Sequence, residues 1–318
     1  MAFVYSDSLV GSRQGIRLLV LLPCQRRESP IECRLETVDL SANPNFEALS
    51  YVWGDPSTRV DITVNKQVLN VTASLGTALR HLRHGTDPRA LWVDAVCIDQ
   101  TNLDERNHQV KRMRYIYQHS SHTVVWLGEG DEETDAAMAL LRKIDQQDDP
   151  YPFRYISQDL ARDDLLAAKP GFDKIARRPW WTRMWTFQEF FVARSIKVLC
   201  GDAAVRWKAF DVLLPWIGAL NMSHGQVLPQ SLSQFTEIRN ARNVWHSRIR
   251  DSGTLLLSTL LKMTGDRGAG EPRDHVFAVL GLVAEGAHEV QIDYKAPVAR
   301  VYHDATVAAF QETGEDIL

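Results

Sequence analysis

The strongest constraint on this chain is an alternation of short apolar runs with helix-patterned stretches between residues 46 and 144. The run "FEALSYVWG" (46–54) reads as a strand stopped by Gly54, Asp55 and Pro56. Residues 73–84 place Leu75, Leu79 and Leu82 on one helical face. "ALWVDAVCI" (90–98) reads as a buried strand, and Glu105 to His119 as one helix turning Val110, Met113, Ile116 and Tyr117 inward. "HTVVWLG" (122–128) is a further strand, followed by a helix through about Ile144. Consecutive strands separated by helices are joined by crossovers, and the compact solution is a parallel sheet with helices on its faces. The expected class is α/β, a parallel sheet flanked by helices.

The flanks read differently. Residues 16–22 and 31–40 look like strands, giving an N-terminal β extension over 1–45. "VDITVNKQVLNV" (60–71) reads as a hairpin turning at Asn65-Lys66. Residues 145–175 are polar and irregular and are expected to form a surface insertion in an α/β core of 46–206. A strand is expected at 195–200, and from 207 to 318 the pattern is mainly helical, with loops near 221–230 and 264–272. The sequence stops abruptly after a helical stretch, as a piece of a longer polypeptide would.

Composition narrows the function classes. Net charge is −4 and no Lys/Arg tract stands out, so the footprint of a nucleic-acid binder is absent. Cys24, Cys33, Cys97 and Cys200 form no CxxC pair and read as reduced thiols. The first residues lack a signal-peptide pattern and no apolar run approaches the roughly 20 residues of a membrane span. The expectation is a cytoplasmic protein. His108, His119 and His122 have no metal-ligand spacing, so no metal is expected. No GxGxxG or Walker loop is present, so a dinucleotide would be substrate rather than cofactor.

The stretch "RRPWWTRMWTFQEFF" (177–191) carries the chemistry question. As one helix it places Trp181, Trp185 and Glu189 on a single face, four residues apart. Spacing alone favours core packing for the tryptophans and an arginine-paired Glu189, with Arg177, Arg178 or Arg183 at hand. The sharper reading is an aromatic wall with a carboxylate in it. The loops after the strands at 46–53 and 91–98 would then bring Asp55, Asp99 and Gln100 to the carboxyl edge of the sheet, where doubly wound folds bind ligands. Ser50 has no Gly-x-Ser-x-Gly context and is a poor nucleophile. Asp94, inside an apolar run, reads as structural and in need of an arginine such as Arg183 or Arg273. Arg273-Asp274 reads as a helix start.

Four ordered stretches, "FEALSYVWGD" (46–55), "LWVDAVCIDQTNLDERNHQVKRMRYIYQHSSHTVVWLG" (91–128), "RPWWTRMWTFQE" (178–189) and "EPRDHVFAVLGL" (271–282), together resemble the HET (heterokaryon-incompatibility) domain of filamentous fungi. That resemblance implies a module that triggers cell death on non-self recognition. HET domains are in turn distantly similar to TIR domains, which implies a TIR-like, flavodoxin-like sheet. It also aligns Ser50-Tyr51 and Asp55 with the first TIR strand and loop, and Trp185 to Glu189 with the TIR Trp-x-x-x-Glu helix. The long insertion at 128–175 departs from that pattern. What the resemblance implies is hydrolysis of NAD at the nicotinamide–ribose bond upon self-association, with Glu189 as the catalytic carboxylate. Ser50, Tyr51, Trp53, Asp55, Asp99, Gln100 and Trp185 would line the substrate site. Partners would be further copies of the chain and other incompatibility or NLR-type proteins. The rival readings are a non-enzymatic signalling adaptor and a nucleotide-sensing domain.

Overall fold

A computed structural model describes residues 3–147, 162–224, 238–247, 255–283 and 289–313. Most of the anticipated insertion (148–161) and much of the 221–230 loop lie outside the described residues. One nine-stranded mixed sheet organises the molecule, in the order β5-β4-β2-β1-β6-β3-β7-β8-β9. The strands are β1 (Gly15–Leu21), β2 (Glu32–Asp39), β3 (Glu47–Tyr51), β4 (Arg59–Val64), β5 (Gln67–Thr72), β6 (Arg89–Trp92), β7 (His122–Trp126), β8 (Ile196–Cys200) and β9 (Ala203–Arg206). The class is α/β as expected, but the sheet is mixed rather than parallel throughout.

The parallel part is central: β3 pairs in parallel with β6 on one side and β7 on the other, and β7 with β8. These strands stand in the order second, first, third, fourth of their appearance in the chain. Their residues are apolar on both faces because helices cover both; Ala48, Leu49, Ser50 and Tyr51 of β3 are all buried. Strands β1 and β2, from the expected β extension, join the same sheet, β1 lying antiparallel to both β2 and β6. The β4–β5 hairpin turns where anticipated. Asn65 and Lys66 both have positive φ, 50° and 65°, the pattern of a two-residue hairpin turn that matches strand twist.

Helices follow the apolar stripes. α1 (Ala73–Leu82) buries Leu75, Leu79 and Leu82 completely and is capped by Thr72. The run 90–98 is not one strand: β6 ends at Trp92 and Asp94–Cys97 form a single helical turn, α2. The apolar run hid this turn, since burial on all sides looks alike for a central strand and a buried helical turn. The expected helix at 105–119 is two, α3 (Leu103–Val110) and α4 (Met113–His119), bent between Val110 and Met113. The inward face is as read: Val110, Met113, Ile116 and Tyr117 are buried.

Asn102 caps α3, its side-chain oxygen accepting from Asp104 N (3.1 Å) and Glu105 N (3.2 Å). Asn102→Ala is expected to lower the unfolding free energy by about 1 kcal/mol, measured by urea denaturation. A Gly at this position should recover most of that, because it adopts the cap backbone readily and leaves the amides to water.

α5 (Glu132–Asp145) packs against α6 (Arg162–Ala176). The second half of the expected irregular insertion is thus a helix, burying Ala168, Phe172 and Ile175. Pro170 and the charged residues around it masked that stripe. Gly171 is required there, since a Cβ would lie 1.9 Å from the carbonyl oxygen of Glu133. After β9 the described chain is helical: α7, the tryptophan helix, precedes β8 at Met184–Val192, and α8 (Trp207–His224), α9 (238–247), α10 (Leu257–Thr264), α11 (Asp274–Leu280) and α12 (Val298–Thr313) follow.

Candidate functional site

The tryptophan stretch folds differently from its spacing. Pro179–Thr182 form a short 3-10 turn, Arg183 is extended (φ −76°, ψ 140°), and only then does α7 begin. The single face of Trp181, Trp185 and Glu189 is therefore broken at Arg183. Two features cause the break. Pro179 starts the 3-10 turn, and the extended Arg183 bridges to Gly268, where Met184 N donates to Gly268 O (2.9 Å) and Gly268 N to Thr182 O (2.7 Å). Every residue of α7 is buried, including Glu189. A helix apolar nearly all round belongs in a core, and this one packs against β3, α4 and α11.

Glu189 faces β3. Ser50 Oγ donates to Glu189 Oε2, and Trp180 Nε1 donates to Ser50 Oγ (2.9 Å). Trp180, not Trp181, is the indole of this chain of contacts. Trp181 packs edge-to-face on Trp180 with centroids 4.7 Å apart and donates to Ile175 O (2.7 Å). Burial pushes the Glu189 carboxyl up to about 7, the negative charge of Asp94 adds to the rise, and Arg183 and the Ser50 hydroxyl oppose it. Tyr51 is buried beside this group, and its hydroxyl has no hydrogen-bond partner among the described residues.

A cleft of about 270 Å³ opens at the carboxyl ends of β3 and β6. Trp53, just past β3, and Asp94, Ile98 and Gln100, just past β6, line it together with Arg183 and Trp185. Asp94 is partly exposed into this space. Its Oδ2 accepts from Trp53 Nε1 (3.0 Å), and Arg183 lies over the Trp53 ring at 5.3 Å while donating to Tyr51 O (2.7 Å). The dense surroundings raise the Asp94 carboxyl above its ordinary value, with Arg183 and the Trp53 N–H opposing. Arg183 is one of the two arginines anticipated for Asp94; the other, Arg273, instead donates to Glu271 (2.8 Å) and Ala296 O (2.8 Å).

The remaining lining residues come from Arg106, Val110 and Met113 and from a later part of the chain, Gly270, Glu271, Asp274 and Tyr294. Asp274 does open α11, and its carboxylate also accepts from Tyr294 OH (2.6 Å). Among the residues expected at the site, Trp53, Gln100 and Trp185 line the cleft; Ser50, Tyr51 and Glu189 sit together behind it. Asp55 lies in an exposed turn, its carboxylate accepting from Ser57 N (2.8 Å) after Gly54 at φ 76°. Asp99 closes a similar turn onto Thr101, accepting from its N (3.0 Å) and Oγ1 (2.6 Å). Neither is brought to the cleft wall.

Residues 46–189 match the model of the family described as heterokaryon incompatibility protein (HET). That segment, under half of the chain, is similar to the HET domain. The match begins at Phe46, before β3, and ends on Glu189 itself, so the matched segment holds the parallel strands β3, β6 and β7, though not β8, and one side of the cleft. The chain is also similar to "Heterokaryon incompatibility protein 6, OR allele" of Neurospora crassa, 29% identical over 255 residues. That alignment covers 68% of this chain and 38% of the relative, so the chain spans well under half of that protein. No solved structure matches the chain. Among the described residues no helix is long and apolar enough to cross a membrane. Glu271, Asp274 and Tyr294 lie beyond the segment matched as the HET domain, yet complete its cleft.

Proposed function

We propose that this chain is a HET-domain effector of cell death in fungal non-self recognition, and that it hydrolyses NAD at the nicotinamide–ribose bond when self-associated. The observation that carries the chemistry is the cleft at the carboxyl edge of the parallel strands, where Trp53, Trp185 and Asp94 meet with Glu189 directly behind. The strand order second, first, third, fourth is the flavodoxin-like order, in accord with a TIR-like core. In the reaction the bond between ribose C1′ and the nicotinamide nitrogen breaks, and its electron pair discharges the ring's positive charge. The leaving group needs no general acid. Water adds to C1′ and releases a proton, giving ADP-ribose and nicotinamide. A carboxylate stabilises the oxocarbenium-like transition state or holds a ribose hydroxyl, and indole rings shield it from water.

In the single chain Glu189 is covered by Ser50 and Trp180. That cover supports a reading in which cleavage waits for self-association to rearrange the contact. It also supports the rival, a non-enzymatic module acting through protein contacts, in which Glu189 is purely structural.

The test is incubation of concentrated protein with NAD and chromatography for nicotinamide, using Glu189→Gln and Asp94→Asn as variants. Release that disappears in Glu189→Gln is the expected result. Release lost only in Asp94→Asn transfers the catalytic role to the carboxylate that already faces the cleft. Absence of release under forced oligomerisation sinks the enzyme reading and favours the adaptor.

A further inference from the structure

The cleft has two polar groupings of different character. One consists of Asp94, Trp53 and Arg183, all within the segment matched as the HET domain. Arg183 is already committed there, donating to Tyr51 O and covering Trp53. The other is built around Arg106 of α3. Its guanidinium carbon lies over the Tyr294 ring, 3.6 Å from the centroid, and its ion pair with Asp274 Oδ1 is 4.0 Å long. At that distance the carboxylate offers charge but accepts no hydrogen bond. Asp274 is instead satisfied by Tyr294 OH, and Glu271 by Arg273. Arg106 is thus a cation held in place by Tyr294, through its ring and a contact with its hydroxyl, and a guanidinium has further N–H donors for the ligand-sized space that it lines.

Residues outside the matched segment fix that arrangement. Asn107, next to Arg106, receives Tyr294 N on its Oδ1 (2.8 Å) and donates through Nδ2 to Asp293 Oδ1 (3.1 Å). The 293–294 segment is therefore pinned to α3 at the point where Arg106 leaves it.

We infer that Arg106, seated on Tyr294, is the phosphate-binding residue of this cleft, and that the cleft selects a phosphorylated nicotinamide nucleoside over the bare nucleoside. This rests on the proposal that a nicotinamide ring occupies the cleft. The chemistry of the two groupings suits a zwitterion. A cationic ring is favoured beside Asp94 and the Trp185 indole, clear of the Trp53 face that Arg183 covers, and a phosphate beside Arg106. The volume, about 270 Å³, is at the small end of ligand sites, so it accepts one nucleotide half of a dinucleotide and leaves the other outside. A guanidinium presents paired N–H donors that match phosphate oxygens, which a lysine would not.

The experiment is calorimetric titration of the intact 318-residue chain with nicotinamide mononucleotide and with nicotinamide riboside, which differ only by the phosphate. The mononucleotide is expected to bind at least tenfold tighter. Arg106→Gln should erase that preference, the mononucleotide falling by tenfold or more toward the riboside's affinity, and a thermal melt will verify that the variant folds. Tyr294→Phe, which keeps the ring but not the hydroxyl, should retain the preference. Equal affinity for the two probes in the parent overturns the inference, as does an equal loss of both in Arg106→Gln, or no binding of either. Nicotinamide release from NAD is scored separately. Discrimination without release retires the hydrolase and keeps the phosphate site; release without discrimination does the reverse.

Discussion

Arg17→Met is expected to lower the unfolding free energy by about 3–5 kcal/mol, a large part of the stability of an ordinary domain. Arg17 on β1 and Glu105 on α3 are 3% and 1% exposed and meet through two bonds, Nη1 to Oε1 at 2.6 Å and Nη2 to Oε2 at 3.0 Å. Backbone groups add further bonds to both. Arg17 also donates to Cys97 O (3.1 Å) and Asp7 O, and Glu105 accepts from Asp99 N (2.8 Å) and Leu9 N (3.2 Å). Burial alone would raise the Glu105 carboxyl, yet Arg17 and the two backbone donors hold it below its ordinary value. Removing the arginine leaves an ionised carboxylate buried with only two N–H donors. It also loosens the loop that carries Ile98 and Gln100 to the cleft.

The pair's contribution is present above the ordinary carboxyl pKa and is lost as pH falls through the depressed one, so the parent should weaken in acid more than Arg17→Met does. Urea unfolding at neutral pH measures the main effect. A loss below 1 kcal/mol would mean that water or a shifted proton replaces the guanidinium. The double variant Arg17→Met with Glu105→Gln should recover part of the deficit, because the orphaned charge is gone.

This ion pair illustrates which parts of the fold are visible in sequence. The core strands and the helix faces were readable because burial on one side imposes a period, as at Leu75, Leu79 and Leu82. The Asn65-Lys66 turn was readable because it joins two strand-patterned runs directly. Neither Arg17 nor Glu105 stands out by any such rule, since each looks like an exposed residue in a half-polar stretch and only the fold joins them across 88 positions. The mixed sheet has the same cause. Local pattern marks β1 and β2 as strands but says nothing about their pairing with β6 and β4.

The cleft divides likewise. Trp53, Gln100 and Trp185 follow from the motifs, because a doubly wound sheet presents the residues after its strands at one edge. Asp94 reads as structural because its apolar surroundings resemble a strand interior, and it does hold the Trp53 indole; what the pattern hides is the helical turn that also directs it into the cleft. Arg106 sits in the stretch "LDERN", where nothing local distinguishes it from the neighbouring charges. Tyr294 and Asp274 could not be foreseen, because their place in the wall depends on a return of the chain more than 150 residues later. Trp180 displaced Trp181 because an extended Arg183 interrupts the helix, and a helical wheel assumes continuity.

Glu189→Gln is expected to stabilise the folded chain relative to the parent as pH rises, by about 2–3 kcal/mol between pH 5 and pH 8. The sign follows from the carboxyl being raised from 4.5 to about 7 by burial and by Asp94. Below 4.5 the group is protonated in both folded and unfolded chains and contributes nothing. Between 4.5 and 7 the folded chain keeps a proton that the unfolded chain has released, so each rise in pH favours unfolding. Above 7 the folded state carries the full penalty of a buried charge. Glutamine has no such titration and still offers an oxygen to Ser50 Oγ, so any constant packing difference cancels when the gap between variant and parent is followed with pH. Urea midpoints at the two pH values give that gap. A gap that stays constant would show that Glu189 titrates normally and that its contact with Ser50 is open to water. Asp94→Asn supplies the cross-check, since removing the nearby negative charge should move the Glu189 window to lower pH. On the proposed hydrolase reading, in which Glu189 acts as a carboxylate, nicotinamide release should also rise through the same pH range. Stability and activity would then move in opposite directions, as expected when one buried charge both strains the fold and performs the chemistry.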